Sequence, residues 1–170
     1  IAVIGAGYCG LNAALELAER GASVAVLDAL PLGRGASGRA GGFVAGRFRM
    51  RPPVVLKRYG PEMVSLLERI SAASVAQVER NVEAYAIPEA RFVRHGTVRC
   101  AVNRRHLDKL AESVRAGAKV SGDFGNATEI RLLDRHEIAA ETGSDRFAGG
   151  ALDLRVPGLH PLNYTMGLVR

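Results

Sequence analysis

The chain opens Ile1-Ala2-Val3-Ile4-Gly5-Ala6-Gly7-Tyr8-Cys9-Gly10, and these ten residues decide the fold. Four consecutive apolar residues, Ile1 to Ile4, read as a short strand buried on both faces. Three glycines follow in the pattern G-x-G-x-x-G. Leu11, Ala14, Leu15 and Ala18 then recur at helical spacing, and Gly21 suits a helix C-terminus. Ser23 to Leu27 is a second apolar strand, closing at Asp28. Strand, tight turn, helix and strand make a parallel β-α-β unit, whose crossover is almost always right-handed.

Each glycine of the turn has a physical task. Gly5 permits the sharp passage from strand to helix. Gly7 lets backbone approach a pyrophosphate with no Cβ in the way, and Gly10 lets the helix pack close to the sheet. The free N–H groups and the positive dipole end of the helix favour phosphate there, so Tyr8 and Cys9 join the candidate contacts. Asp28 lies 18 residues past Gly10, near the spacing at which a carboxylate accepts hydrogen bonds from ribose hydroxyls. The same charge disfavours a 2′-phosphate. Ala29, next in the chain, belongs to this end of the site.

A second glycine-rich stretch comes directly after: Gly33-Arg34-Gly35-Ala36-Ser37-Gly38-Arg39-Ala40-Gly41-Gly42. Such a loop can wrap the other side of a dinucleotide with backbone N–H donors, a Ser hydroxyl and an Arg charge. Ser37, Gly38, Arg39, Gly41 and Gly42 are therefore the remaining candidate cofactor contacts. A nicotinamide enzyme would normally continue with further β-α units at this point.

Beyond the loop, residues 29–60 read as irregular, with Pro52-Pro53 inside them. Pro61 suits the first turn of a helix reaching about Tyr85, with Met63, Leu66, Leu67, Ile70, Val78, Val82 and Tyr85 near one face. Arg91–Arg94 and Thr97–Ala101, joined by His95-Gly96, read as a hairpin. A helix from Arg104 to about Val120, a strand at Ile130–Leu133, a capping box of Asp134 and Glu137, and a strand from Phe147 to Leu154 follow. His160-Pro161 starts a last helix with no stop signal before Arg170. Ile1 already lies inside a strand, so both ends read as cut.

The 170 residues are 48% hydrophobic and 24% charged, a balance that supports a packed core. Net charge is +6, yet with five Phe, four Tyr and no reading helix the basic stretch around Arg47 to Arg58 is a solvated loop, not a nucleic-acid interface. No apolar run approaches the roughly 20 residues that span a bilayer, so no membrane partner is expected. Cys9 and Cys100 match no metal or redox spacing and read as two buried free thiols of a cytoplasmic protein; no metal ligand is assigned. His160 and Tyr164 share a helical face, either lining a substrate entry or serving as a helix-start His and a packed Tyr. His95 reads as a turn residue, and His106 and His136 as surface residues. No catalytic acid–base pair is assigned.

Asp28, Gly33 and the run Gly35-Ala36-Ser37-Gly38-Arg39-Ala40-Gly41-Gly42 resemble the FAD-dependent D-amino-acid-oxidase-like family, in particular its gamma-glutamylputrescine oxidase branch, which has Asn where this chain has Ala40. Gly149-Gly150-Ala151-Leu152-Asp153 and Gly158-Leu159-His160-Pro161-Leu162-Asn163-Tyr164 extend the resemblance. It implies FAD as cofactor, an amine or amino acid as small-molecule substrate, and oxidation of a C–N bond in which a hydride equivalent passes to the flavin. The imine then hydrolyses and O₂ reoxidises the flavin to give hydrogen peroxide. The implied fold class is α/β: a Rossmann-like FAD-binding part at 1–87, the start of a mixed α+β substrate domain at 88–156, and a return to the first part at 157–170. Non-covalent flavin binding is expected. The alternatives are an NAD-dependent dehydrogenase and a truncated, non-catalytic dinucleotide-binding remnant.

Overall fold

The computed structural model describes residues 1–123 and 129–170. They divide into two compact units, one of residues 1–44, 76–93 and 158–170, the other of residues 45–75 and 94–157.

The first unit contains the β-α-β motif. Strand β1 (Ala2–Ile4) runs parallel to β2 (Ala25–Leu27), with Val3 opposite Val26, and helix α1 (Tyr8–Glu19) connects them. The helix ends as the glycine predicts. Gly21 takes φ +84°, its N–H donates to the Ala18 carbonyl, and the Ala22 N–H donates to that of Leu17. That pair of bonds is a Schellman stop. Ala6 and Leu11 form a core with Ile87, Ala90, Tyr164 and Leu168, against which Leu15, Val26, Val78 and Val82 pack. Helix α6 (Pro161–Gly167) supplies Tyr164, and His160 caps it, Nδ1 accepting the Asn163 N–H at 3.2 Å.

The strands are not buried on both faces as their apolar runs suggest. Ile4 is 79% and Leu27 55% exposed. The sheet has two strands, α1 covers one face only, and the alternation of side chains leaves Ile4 and Leu27 on the other.

The second unit is built on an antiparallel sheet of order β3-β5-β4, from β3 (Thr97–Ala101), β4 (Ile130–Leu133) and β5 (Gly149–Asp153). Leu110 and Val114 of α4 (Arg104–Asp123) pack on Ala101 and Ala151. Helix α5 (Arg135–Thr142) starts at the predicted capping box: Asp134 Oδ1 accepts the Glu137 N–H at 2.8 Å, and Glu137 Oε2 accepts the Asp134 N–H at 2.9 Å.

Two expectations fail here. Residues 52–59 are not loop: Pro52 and Pro53 occupy the first positions of helix α2 (Pro52–Tyr59), where a missing N–H costs nothing. Val55 and Val64 make a small core between α2 and the start of α3 (Pro61–Ala84). The hairpin across His95-Gly96 does not form either. Val93 bridges to Gly158, while β3 takes β5 as its partner. On α3, Leu66 and Ile70 are 40% and 47% exposed, so the apolar face is narrower than its spacing suggests.

Candidate dinucleotide site

The turn after β1 is fixed by backbone geometry before any side chain acts. Gly5 has φ +101°, a conformation that a Cβ would strain, and its N–H donates to the Leu27 carbonyl at 2.6 Å. Gly10 is the point of closest approach between helix and turn. A Cβ there would overlap the Gly5 carbonyl oxygen and sit 3.4 Å from Val3 Cγ1.

Asp28 is tied to this turn. Its Oδ2 accepts the Ala6 N–H at 2.7 Å and its Oδ1 the Leu30 N–H at 2.9 Å. These N–H groups, Leu30 first and Ala6 next, hold the Asp28 carboxyl below the usual carboxylate range, and the Ala29 N–H adds to the effect. Asp28 is thus ionised at neutral pH. A carboxylate offers about four acceptor positions. With two filled by backbone, the exposed group retains acceptors for hydroxyls.

The second glycine loop faces the first. Ser37 Oγ accepts the Tyr8 N–H at 3.1 Å, and a Cβ on Gly7 would lie 3.1 Å from the same oxygen. Turn and loop therefore meet at the α1 N-terminus, with Gly7 directly against the Ser37 hydroxyl. Residues of the first helical turn, among them Cys9 and Gly10, carry N–H groups the helix itself cannot satisfy. Their direction and the helix dipole both favour an anion at this point.

The other loop glycines shape the loop. A Cβ on Gly38 would overlap the Gly33 carbonyl. Gly42 pairs through its carbonyl with the Leu159 N–H at 2.9 Å. Gly41 lies against the ring of Phe43, 3.3 Å from where a Cβ would be. Arg39, in a short 3₁₀ turn (Ser37–Arg39), donates from Nε to the Gly35 carbonyl at 3.2 Å and is exposed.

Tyr8 enters the site through its backbone only. Its ring packs on Tyr164 at 5.5 Å between centroids, and its hydroxyl donates to the Pro161 carbonyl at 3.3 Å. Cys9 is exposed and Cys100 half-buried, so neither is the buried thiol expected. A residue in a helix's first turn beside an open backbone surface has nothing packed over it. His160 is the α6 cap and Tyr164 is buried, which leaves them structural roles. His95, His106 and His136 are exposed.

Sequence reasoning missed the polar brace beneath the site. Asn81, 4% exposed, donates to Asn12 Oδ1 at 2.6 Å and to the Tyr164 hydroxyl at 3.1 Å, and Asn12 donates to the Tyr8 carbonyl at 2.7 Å. Three segments far apart in sequence meet there, and only an Asn on the inward stripe of α3 hinted at it. Alongside Asp28 runs a crevice of about 510 Å³ lined mainly by Leu11, Ala14, Leu15, Val26 and Leu30. It includes Asp28 but neither Gly7 nor Ser37, and is an apolar flank of the sheet. Among the described residues no cluster of three His, Cys, Asp or Glu could hold a metal, and no helix is long and apolar enough to cross a membrane.

A glycine turn between a strand and a helix, braced on a second glycine loop, defines a class, and comparison with known proteins gives it a family. The whole chain, residues 1–170, matches the family model described as FAD dependent oxidoreductase (DAO), and the chain belongs to that family. It is 35% identical over 170 residues to the probable oxidoreductase OrdL of Haemophilus influenzae, and 34% identical over 167 residues to the gamma-glutamylputrescine oxidoreductase of Escherichia coli. These alignments cover 100% and 98% of this chain and 38% of each relative, so the chain spans under two-fifths of their length. The fold is also that of glycine oxidase from Geobacillus kaustophilus, with a TM-score of 0.71 at 20% identity over 98% of this chain and 42% of that one. FAD is the family's cofactor, and the nicotinamide alternative falls with that assignment.

Proposed function

We propose that this chain is the dinucleotide-holding portion of an FAD-dependent oxidase that breaks a C–H bond beside the nitrogen of an amine or amino acid. The observation that carries the reading is the meeting of Asp28 and Ser37 at one helix N-terminus, through the Ala6 and Tyr8 N–H groups at 2.7 and 3.1 Å. The donor set suits FAD. Gly7 keeps Cβ bulk off the turn beside Ser37, the first-turn N–H groups of Cys9 and Gly10 would donate to the diphosphate, and Asp28 would accept from the adenosine ribose. Around that diphosphate, Gly5, Gly10 and Cys9 would form one wall, and Ser37, Gly38, Arg39, Gly41 and Gly42 the other. Ala29 lies beside the ribose.

Bound FAD would supply the hydride acceptor, and the protein's part is position, charge and exclusion of water. A gamma-glutamylputrescine-like substrate is favoured by the Escherichia coli relative at 34% identity, and O₂ as the acceptor is part of the proposal. Residues 1–87 and 157–170 are assigned to the cofactor and 88–156 to the start of the substrate domain, although residues 45–75 cluster with the second unit and 88–93 with the first. A cytoplasmic location is part of the proposal, supported only by the two free thiols.

The test is colour and product. The expressed protein is expected to co-purify with yellow flavin released by acid, and to generate peroxide with gamma-glutamylputrescine. Colour without peroxide supports the second reading, a cofactor-binding remnant without catalysis. No flavin at all, even after FAD is added, refutes the proposal.

A further inference from the structure

The Tyr8–Cys9 peptide is gripped in a way that helix packing does not require. The N–H of Tyr8 itself is already used, donating to Ser37 Oγ at 3.1 Å. The first α1 N–H still unclaimed among the described residues is therefore that of Cys9, with Gly10 after it. In a planar trans peptide the carbonyl of one residue and the N–H of the next point in opposite directions, so whatever holds the Tyr8 carbonyl aims the Cys9 N–H. That carbonyl has an acceptor position beyond the one its helix uses, and Asn12 Nδ2 fills it at 2.7 Å.

Asn12 is itself held by a chain of side-chain amides. Its Oδ1 accepts from Asn81 Nδ2 at 2.6 Å, Asn81 Oδ1 accepts from Gln77 Nε2 at 2.7 Å, and Gln77 Oε1 accepts from Arg80 Nη2 at 2.6 Å. Gln77, Arg80 and Asn81 neighbour one another within one turn of α3. The sense of the chain is forced from both ends. A backbone carbonyl only accepts and a guanidinium only donates, so each amide between them has a single orientation, oxygen toward Arg80 and nitrogen toward Tyr8. Hydrogen bonds aligned head to tail in this way polarise one another. The other Asn81 Nδ2 proton goes to the Tyr164 hydroxyl at 3.1 Å, so the buried Asn81 side chain is fully satisfied. Were stability the whole task, apolar residues of the same shape would serve at these positions as well.

We propose that Asn12 and Asn81 are positioning residues for the cofactor's diphosphate, holding the Tyr8–Cys9 peptide so that the Cys9 N–H is set as a donor before the ligand arrives. Asn12 grips the carbonyl, and Asn81 keeps Asn12 in the orientation that can. The gain is pre-organisation: a donor already aimed costs no ordering when an anion binds. The inference rests on the proposed function, which supplies the diphosphate.

The test is calorimetric titration with ADP, and with adenosine as the comparison probe, of the parent, Asn12→Leu and Asn12→Ser. Asn12→Leu removes the grip while Asn81 keeps Tyr164 and Gln77 and the Tyr8 carbonyl keeps its helix bond, so the fold should persist. Its ADP affinity should fall about tenfold, the lower end of what one hydrogen bond to a charged group contributes, with adenosine binding unmoved. A serine hydroxyl inside a helix donates to the carbonyl one turn back, so Asn12→Ser should recover most of the loss. In the ligand-free protein the nitrogen chemical shift of the Cys9 amide, which responds to hydrogen bonding at the preceding carbonyl, should move in Asn12→Leu and return toward the parent in Asn12→Ser. Parental ADP affinity in Asn12→Leu, equal losses of ADP and adenosine, no recovery in Asn12→Ser, or an unmoved Cys9 shift overturns the positioning role while the cofactor reading stands. A parent that binds no ADP refutes the cofactor reading, and this inference falls with it.

Discussion

Replacing Gly10 by alanine separates the two tasks given to the glycines of the first turn. The new methyl would collide with the Gly5 carbonyl oxygen, with the carbonyl carbon at 3.1 Å and Val3 Cγ1 at 3.4 Å. These are backbone and strand atoms, so no flexible side chain can move aside. To relieve the overlap α1 must lift from the turn, and the Gly5–Leu27 and Ala6–Asp28 bonds of 2.6 and 2.7 Å stretch with it. Overpacking of this kind costs about 1–3 kcal/mol. For a domain of this size each kcal/mol lowers the melting temperature by roughly 2–4 °C. Gly35→Ala is the matched control, because a Cβ there meets nothing within 4 Å and the backbone needs no positive φ. Gly7→Ala stands between, since its Cβ meets only the Ser37 hydroxyl, which can rotate. Thermal unfolding of the three variants should rank Gly10→Ala far below Gly7→Ala, with Gly35→Ala near the parent. FAD affinity should fall in Gly7→Ala without a matching loss of stability. If Gly10→Ala melts with the parent, the close helix–strand approach is wrong.

Asp28→Asn should weaken FAD binding by about tenfold, because a charged acceptor for the ribose becomes a weaker neutral one. Asp28 has a depressed pKa, so what its charge contributes is complete above the ordinary aspartate value near 3.9 and is lost as pH falls through the lower folded value. Acid unfolding followed by circular dichroism should lose part of its low-pH dependence in Asp28→Asn and be unchanged between pH 5 and 7. Asn81→Ala should destabilise by about 1–3 kcal/mol in urea unfolding, since it leaves the buried Tyr164 hydroxyl and Asn12 without their partner. Asp134→Ala should cost about 1 kcal/mol through the lost cap of α5, without touching cofactor affinity.

The fold was legible where the physics is local. The turn glycines, the Gly21 stop, the Asp134–Glu137 box and the Pro61 and Pro161 helix starts all depend on residues within a few positions of each other. Legibility failed where distant segments decide. Val93 and β3 were expected to pair across His95-Gly96, but strand β5, some fifty residues on, takes β3 in the centre of its sheet, and Gly158 takes Val93. Helix α2 was hidden because Pro52-Pro53 reads as loop unless both prolines fall in a first turn. Within the site, Asp28 and the backbone of the turn could be picked from spacing. That Ser37 is the contact between the two glycine loops, and that Gly38 and Gly42 also pack closely against neighbouring backbone, needed coordinates.

The central claim is that the two glycine-rich stretches hold one diphosphate between them. Backbone amide spectra of the labelled protein during titration with ADP, which carries both phosphates and the ribose, test it most directly. The account predicts saturable shifts at Gly7, Tyr8, Cys9 and Gly10 together with Ser37 and Gly38, all following one binding curve, and their suppression by Gly7→Val. Shifts confined to one stretch, or following two unrelated curves, would contradict it.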